Sequence, residues 1–273
     1  MRLLPLSLPN GAKTRLLDTG GRGPALVLVL GLGNSLEIWD RVASRLARSF
    51  RVIAFDLPGF GEASRPDAAY DGPFFGAQIV TLLDALALER ATLVGNSLGA
   101  SAILHLSAVA PERIAGAVLA APGGIGRKTN LLMRAAALPL IGAWLARPTP
   151  ANNRTTLKLA LHDRRNLTPE LLETFNRHAA GSGSERAFVR SLQSGVTLTG
   201  SRDSAHVRAL AAAFPAPALV IWGRQDRVFS PDYAREAGDL IPDARLTMLD
   251  ACGHYPQWEQ PEAFAAAVEA FAG

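Results

Sequence analysis

The chain has 273 residues, of which 48% are hydrophobic and 19% are charged, so it can build a large buried core and is not a disordered chain. Its formal net charge is +4, but most cations are arginines scattered singly, without basic runs or interleaved aromatic residues. This pattern predicts no nucleic-acid partner. A single cysteine, Cys252, excludes an internal disulfide framework.

Hydropathy along the chain argues against a membrane anchor. No apolar run reaches the roughly 18 residues that a transmembrane helix needs. Prolines interrupt the apolar N-terminal stretch, which lacks the continuous core of a signal peptide. We therefore expect no stable membrane insertion and a cytoplasmic location.

The first part of the chain alternates strand and helix patterns. Two short apolar runs flank Asn10 and Gly11, a pair that tolerates the positive φ angles of a tight turn and so predicts a β-hairpin. Further on, continuous apolar runs predict strands buried on both faces, and apolar residues at helical spacing predict the helices between them. The predicted strands span 24–31, 50–56, 91–95 and 115–122, and the predicted helices span 37–49, 74–88 and 98–110.

The strand pattern stops between residues 123 and 208. Helical pieces separated by Gly, Pro, Asn and Ser take its place, and strand patterns return only at 216–223 and 244–250. Charge divides at the same points, because residues 123–208 carry 13 cations and five anions while the rest carries 15 cations and 19 anions. We predict a helical insertion over 123–208 in a core formed by 1–122 and 209–273.

Strands that alternate with helices are joined by right-handed crossovers and form a mostly parallel sheet with helices on both faces. The predicted fold class is therefore α/β. In such a sheet, ligands bind at the carboxyl ends of the strands. Candidate functional residues are those that directly follow a predicted strand.

Ser97 lies between Gly95 and Gly99, where a predicted strand gives way to a predicted helix. A serine exposed at such a sharp turn has a strained backbone and needs small neighbours, so that strand and helix do not collide. The pattern matches the nucleophile elbow, where the helix N-terminus also favours developing negative charge. Ser97 is the candidate nucleophile.

A serine hydroxyl needs a base to act as a nucleophile near neutral pH. His254 follows the last predicted strand and precedes the last helix, again at the carboxyl end of the sheet, so it is the candidate base. His105 lies eight residues after Ser97 and is expected to point away from the elbow. The other histidines are expected on solvated helix faces of the insertion: His162, His178 and His206.

The base in turn needs an acid that orients it, and in chain order that acid comes between the serine and the histidine. Asp226 follows the strand before the one that leads to His254. Asp250 is nearer to His254 in sequence but lies at the strand end itself. We therefore prefer Asp226.

The reaction also needs hydrogen-bond donors for an oxyanion. The backbone N–H of Leu98, directly after the nucleophile, is one candidate. The other is the N–H of Leu32, in the loop after the first buried strand, where Gly31 and Gly33 let the backbone approach a substrate closely.

Five stretches together resemble the α/β-hydrolase superfamily over the whole chain: VLGLGNS, FDLPGFGEASRP, GNSLGA, WGRQDRVFSP and CGHYPQWEQPEAF. The resemblance implies the α/β-hydrolase fold with a helical cap over the site. It also implies a triad of Ser97, His254 and Asp226, and an oxyanion hole formed by the amides of Leu32 and Leu98.

The sequence departs from the family pattern at one place. Leu30 precedes Gly31, where the family often has a structural histidine. Because the elbow carries a serine and not an aspartate, the resemblance does not extend to the haloalkane dehalogenases and epoxide hydrolases of the superfamily.

The leading hypothesis is hydrolysis of carboxylic esters of small to medium acyl chains, with a small-molecule ester as substrate and no metal or organic cofactor. The alternative is a carbon–carbon bond hydrolase of the meta-cleavage-product type, because GNSLGA and GHYPQWE resemble that family. Lactonase and perhydrolase activities need the same triad and stay open. A ligand receptor of this fold without catalysis is the third hypothesis.

Several residues are candidates for the substrate pocket. The aromatic candidates are Trp258, Tyr255, Trp144 and Phe60. A carbon–carbon hydrolase would also hold a dienoate carboxylate with an arginine, for which the candidates are Arg164, Arg165, Arg177, Arg186 and Arg190. The apolar stretch 131–146 is expected to cover the site and could move as a lid.

Overall fold

The structure is a computed structural model that describes residues 3–138, 142 and 147–273. Its strands, numbered in chain order, are β1 (Leu3–Ser7), β2 (Lys13–Asp18), β3 (Ala25–Val29), β4 (Arg51–Phe55), β5 (Ala91–Asn96), β6 (Ile114–Ala120), β7 (Val196–Thr197), β8 (Gly200–Ser201), β9 (Ala218–Gly223) and β10 (Ala244–Leu249). Its described α-helices are α1 (Asp40–Leu46), α2 (Gly72–Ala85), α3 (Leu98–Leu106), α4 (Leu131–Ala136), α5 (Pro150–Ala160), α6 (Pro169–Ala179), α7 (Ser184–Gly195), α8 (Ser204–Ala212), α9 (Asp232–Leu240), α10 (Pro256–Glu259) and α11 (Pro261–Ala272).

Eight strands form one sheet in the order β1-β2-β4-β3-β5-β6-β9-β10. All pairs from β4 to β10 are parallel, and only the pairings of β2 with β1 and with β4 are antiparallel. In β3, β5, β6 and β9 nearly every residue is buried, whichever way its side chain points. Both faces of the sheet are therefore covered, and the predicted α/β class is confirmed.

The predicted β-hairpin is confirmed at the antiparallel edge of the sheet. Leu3 pairs with Leu17, and the strands are joined by a turn in which Gly11 has a φ of 83°. The turn is closed by a hydrogen bond of 2.7 Å from Leu8 N to Ala12 O. Glycine takes this positive φ at little cost.

Three helices begin with the same short signal in the sequence. Asp71, Thr149 and Thr168 each accept a hydrogen bond from a backbone N–H in the first turn of α2, α5 and α6, and a proline follows within that turn. The side chain satisfies an N–H group that the helix leaves unpaired, and proline loses nothing there because it has no N–H to satisfy.

The segment between β6 and β9 is helical, as the composition indicates. It contains α4 to α8 and a short hairpin of β7 and β8, which was not predicted. A strand of two residues is too short to produce a recognisable apolar run in the sequence, so this hairpin could not be predicted. Helix α8 continues through the predicted boundary at residue 208 and packs against α3 and α9. We refer to residues 121–217 as the insertion.

Among the described residues, no helix is long and apolar enough to cross a membrane.

Candidate active site

Ser97 joins β5 to α3 with a strained backbone. Its φ and ψ angles are 56° and −112°, a combination that residues with a side chain rarely adopt. A Cβ atom on Gly95 would lie 2.5 Å from Ala100 N, and one on Gly99 would lie 2.2 Å from Val29 O. The turn from strand to helix leaves no space for a side chain at either glycine, which is the reason for the glycines on both sides of the serine.

Gly99→Ala is expected to destabilise the protein, because the obstructing atom belongs to a buried strand and cannot move aside as a flexible side chain could. We expect the free energy of unfolding to fall by about 1–3 kcal/mol or more, measured by denaturant unfolding. Gly238→Ala in α9 is the matched control, since the nearest atom to its Cβ would be 3.6 Å away and alanine favours a helix. An unchanged unfolding midpoint for Gly99→Ala would contradict this packing argument.

His254 and Asp226 form a buried pair. The distance from His254 Nδ1 to Asp226 Oδ2 is 2.7 Å, and the two side chains are 4% and 0% exposed. The other carboxylate oxygen, Asp226 Oδ1, accepts hydrogen bonds from the backbone N–H groups of Val228 (2.8 Å) and Phe229 (3.0 Å). The backbone N–H groups thus hold the Asp226 carboxylate in place, and the carboxylate orients the His254 imidazole through Nδ1. The other ring nitrogen, Nε2, is then available to exchange a proton with a reacting group.

Asp250, the weaker candidate for the acid, lies elsewhere. Its side chain is 84% exposed and pairs with Arg224 at 2.7 Å. The strand end therefore directs Asp250 to solvent.

Three hydrogen bonds fix the loop that carries His254. Asn96, the residue before Ser97, donates from its side chain to His254 O (3.0 Å). His254 N donates to Ala160 O of the insertion (2.7 Å), and Gly253 N donates to Glu259 Oε1 (2.7 Å). The elbow, the insertion and the histidine loop are thereby held in one arrangement.

The two amides predicted to bind an oxyanion have no hydrogen-bond partner in the described chain. The N–H groups of Leu32 and Leu98 donate to no acceptor, and Ser97 Oγ likewise has no partner. Leu98 lies in the first turn of α3, where N–H groups have no acceptor within the helix. A Cβ on Gly31 would lie 3.3 Å from Ser97 Cβ, so the Leu32 loop lies against the elbow.

Two cavities meet at Ser97. The first, which we call the His254 chamber, has a volume of about 190 Å³ and is lined by Ser97, His254 and Tyr255 together with residues of the insertion. The second, which we call the His105 chamber, has a volume of about 230 Å³ and is lined by Ser97, Leu98 and His105 among others. The residues common to both chambers are Leu32, Ser97, Met133 and Leu192.

This geometry agrees with a comparison of the chain with protein families, in which the model of the alpha/beta hydrolase fold matches residues 24–261. The chain belongs to the α/β-hydrolase family. The match extends over both strand-rich parts of the chain and over the insertion between them.

The relatives of this α/β-hydrolase are named for different activities. A 2-hydroxymuconate semialdehyde hydrolase from Pseudomonas putida is 33% identical over 271 residues, which cover 97% of this chain and 92% of that protein. A solved structure of a meta-cleavage product hydrolase from Pseudomonas fluorescens is 27% identical, with a TM-score of 0.80 over 98% of this chain and 96% of that one. A bacterial membrane phospholipase A is 25% identical, with a TM-score of 0.84 over 99% of this chain and 85% of that one.

Of the aromatic candidates for the pocket of this α/β-hydrolase, Tyr255 lines the His254 chamber. Burial raises the pKa of its phenol to about 12, so the phenol stays protonated. Trp258 was predicted to line the pocket, but it lines neither chamber. The Arg41 guanidinium lies 4.0 Å from the centroid of its ring, and its N–H donates to Asn166 O (3.0 Å). These contacts hold the indole outside the two chambers.

Phe60 also lies apart from both chambers. It stacks on Phe75 with ring centroids 5.7 Å apart, as part of the core. Trp144 lies outside the residues that the structure describes, as does part of the apolar stretch 131–146.

None of the five arginines predicted as carboxylate ligands lines either chamber. Arg165 pairs with Asp163, and Arg190 pairs with Asp67 on the outside of the protein. The arginine that does line a chamber is Arg147, in the His254 chamber. Sequence analysis missed it because nothing around it marks it among the 13 cations of the insertion.

His178 and His105 are the other residues that sequence analysis placed wrongly. His178 was expected on a solvated helix face, but it is buried in α6. His105 was expected to point away from the elbow, but it lines a chamber together with Ser97. His206 of α8 is exposed, as expected, and its ring lies beside that of His105, with ring centroids 5.5 Å apart. A signal for His105 was present, since Ser97, Ser101 and His105 are spaced four residues apart and so share one face of α3.

Cys252 is fully buried, and burial strongly raises the pKa of its thiol, so it is not a thiolate nucleophile. In the described part of the chain, no group of three or more His, Cys, Asp or Glu side chains is arranged to hold a metal ion.

Proposed function

We propose that this α/β-hydrolase cleaves a carbon–carbon bond next to a carbonyl group in vinylogous diketo acids, through an acyl-enzyme on Ser97. The observation that carries the proposal is the lining of the His254 chamber, which combines a cation, Arg147, with the amide side chains of Asn34 and Asn153. A dienoate leaving group bears a carboxylate and an enol oxygen, for which these are suitable partners. The relatives named as hydrolases of such acids support the same substrate class.

In the proposed reaction, Ser97 Oγ attacks the ketone carbon while His254 Nε2 accepts its proton. Asp226 holds the imidazole in the required tautomer and stabilises the imidazolium that forms. The amides of Leu32 and Leu98 donate to the oxygen of the tetrahedral intermediate, at the N-terminus of α3.

The carbon–carbon bond then breaks, and its electron pair moves to the leaving carbon as an extended enolate. That carbon receives the proton from His254. Water, deprotonated by the same imidazole, finally attacks the acyl-serine and releases a carboxylic acid. The products are this acid and a 2-oxo-3-enoate, which is the keto tautomer of a 2-hydroxydienoate, and atoms balance with one water consumed.

Arg147→Gln is expected to raise KM for a diketo acid by about tenfold, with a smaller effect on kcat, because the variant loses a charged hydrogen-bond donor that binds substrate and transition state alike. Steady-state kinetics check this. Arg165→Gln is the matched control, since Arg165 is 91% exposed and outside both chambers. Equal values of KM for the Arg147→Gln variant and the wild type would contradict the proposed role.

A second candidate, hydrolysis of carboxylic esters, is favoured by a different observation. Arg147 is also paired with Glu185 at 3.2 Å, and its side chain is 55% exposed. Much of the remaining wall is apolar, including Met133, Phe188 and Val228. If the pair with Glu185 persists when substrate binds, the chamber accepts a neutral alcohol better than a dienoate.

The test compares two substrates with one acyl group, a 2-hydroxy-6-oxodienoate and the corresponding p-nitrophenyl ester. The proposal predicts a higher kcat/KM for the dienoate than for the ester. Cleavage of the dienoate is followed by the change in absorbance as its conjugation is lost, and the products are identified by mass spectrometry. Turnover of the ester with an inert dienoate would establish the second candidate instead. A wild-type protein inert on both would favour a non-catalytic receptor.

A further inference from the structure

The His105 chamber contains a group of polar side chains that the proposed reaction does not use. His105 and His206 lie next to each other in its lining, with ring centroids 5.5 Å apart, and Asp71 and Asp203 also line the chamber. No lysine or arginine is among the described residues that line this chamber. The side chains therefore offer hydrogen bonds and negative charge.

The position of His254 decides which part of a substrate enters each chamber. His254 must lie beside the leaving group, because it delivers the proton to it. His254 lines only the His254 chamber, whereas Leu98, a proposed oxyanion donor, lines only the His105 chamber. Under the proposed function, on which this inference rests, the leaving group lies in the first chamber and the acyl group extends into the second.

In the lining of the second chamber, His105 lies at a definite distance from Ser97. Ser97, Ser101 and His105 follow one face of α3 at intervals of four residues and all line the chamber. At a rise of about 1.5 Å per residue, His105 lies roughly 12 Å along the helix from Ser97. An acyl chain of medium length would bring its end to the two imidazoles.

Packing holds the His105 ring at this place. A Cβ on Gly72 would lie 2.1 Å from the ring, so the start of α2 lies directly against it. His206, by contrast, is exposed and forms the outer side of the pair. The pair therefore has one member that is held by packing and one member that is exposed to solvent.

Burial lowers the pKa of His105, and the neighbouring His206 lowers it further, while Asp71 and Asp203 act in the opposite direction without cancelling the effect. The His105 imidazole is therefore neutral at neutral pH. A neutral imidazole both donates and accepts hydrogen bonds, which suits an uncharged hydroxyl. The carboxylates of Asp71 and Asp203 repel any further anion that enters this part of the chamber.

We propose that the His105–His206 pair binds an uncharged hydrogen-bonding group, such as a hydroxyl, at the far end of the acyl group. Asp71 and Asp203 exclude a carboxylate there. The pair is a specificity element for the acyl group and takes no part in the chemical steps.

Boronic acids test this without a leaving group. Ser97 Oγ adds to boron, its proton passes to His254, and the organic substituent takes the position of the acyl group. The probes are octylboronic acid and its ω-hydroxy and ω-carboxy analogues. Affinity is measured at pH 7.5 from the rise in Tm with concentration, a readout independent of turnover. The variants are His105→Leu and His206→Leu, with His162→Leu as control because His162 is exposed and outside both chambers.

We expect the wild type and His162→Leu to bind the ω-hydroxy probe about three- to tenfold more tightly than octylboronic acid, and the ω-carboxy probe least tightly. His105→Leu should lose the preference for the hydroxyl while keeping its affinity for octylboronic acid. The inference is overturned, while the assignment of Ser97 as nucleophile stands, if the wild type binds octylboronic acid more tightly than its ω-hydroxy analogue. The same holds if both His105→Leu and His206→Leu keep the preference for the hydroxyl. If no probe raises the Tm of the wild type more than that of Ser97→Ala, the assignment of Ser97 as nucleophile fails as well.

Discussion

Ser97→Ala should lower kcat by about 10⁴- to 10⁶-fold on whichever substrate the enzyme turns over, because removing the nucleophile of a serine hydrolase leaves only binding and oxyanion stabilisation. The effect should fall on kcat, while the affinity for substrate changes little. The measurement is steady-state or single-turnover kinetics with purified variants.

Ser107→Ala is the matched control for that experiment. Ser107 follows the same helix, and its hydroxyl donates to Leu104 O (2.7 Å) outside both chambers. It should keep the wild-type kcat. If Ser97→Ala retains more than a tenth of the wild-type kcat, the nucleophile is another residue or water, and the proposed acyl-enzyme is wrong.

Asp226→Asn should lower kcat by about 10⁴-fold, although the shape of the side chain hardly changes. An amide can present an N–H to His254 Nδ1 and thereby stabilise the tautomer with its proton on Nε2, which cannot accept the proton of Ser97. The amide also fails to stabilise the imidazolium. Circular dichroism and Tm would show whether the variant is folded.

Asp250→Asn provides the comparison for the acid, because both aspartates were candidates for it but only Asp226 is buried against His254. We expect Asp250→Asn to keep nearly full activity. A loss in Asp250→Asn as large as that in Asp226→Asn would contradict the assignment of the acid.

The core of the fold could be predicted from the sequence because its signals are local. Buried parallel strands appear as continuous apolar runs, and the ends of the predicted strands 24–31 and 216–223 differ from those of the observed β3 and β9 by at most two residues. The elbow could be predicted for the same reason. The five consecutive residues 95–99 determine the strained turn, and the need for glycine at 95 and 99 follows from the contacts that a Cβ would make.

The walls of the two chambers could not be predicted, because they are formed by segments far apart in the chain. Arg147 and His254 share a chamber only through the fold of the insertion, and His206 meets His105 only because α8 packs on α3. Trp258 shows that a residue close to His254 in sequence can still lie outside its chamber. It is four residues from His254, yet Arg41 and Asn166 hold its ring in a different environment.

The most direct test of the account is intact-protein mass spectrometry of the enzyme quenched in acid during turnover of a p-nitrophenyl ester or a diketo acid. The account predicts a population whose mass is increased by that of the acyl group. Peptide mapping should place the adduct on Ser97, and Ser97→Ala should lack it. An adduct on another residue, or turnover without any adduct under conditions where deacylation limits the rate, would contradict it.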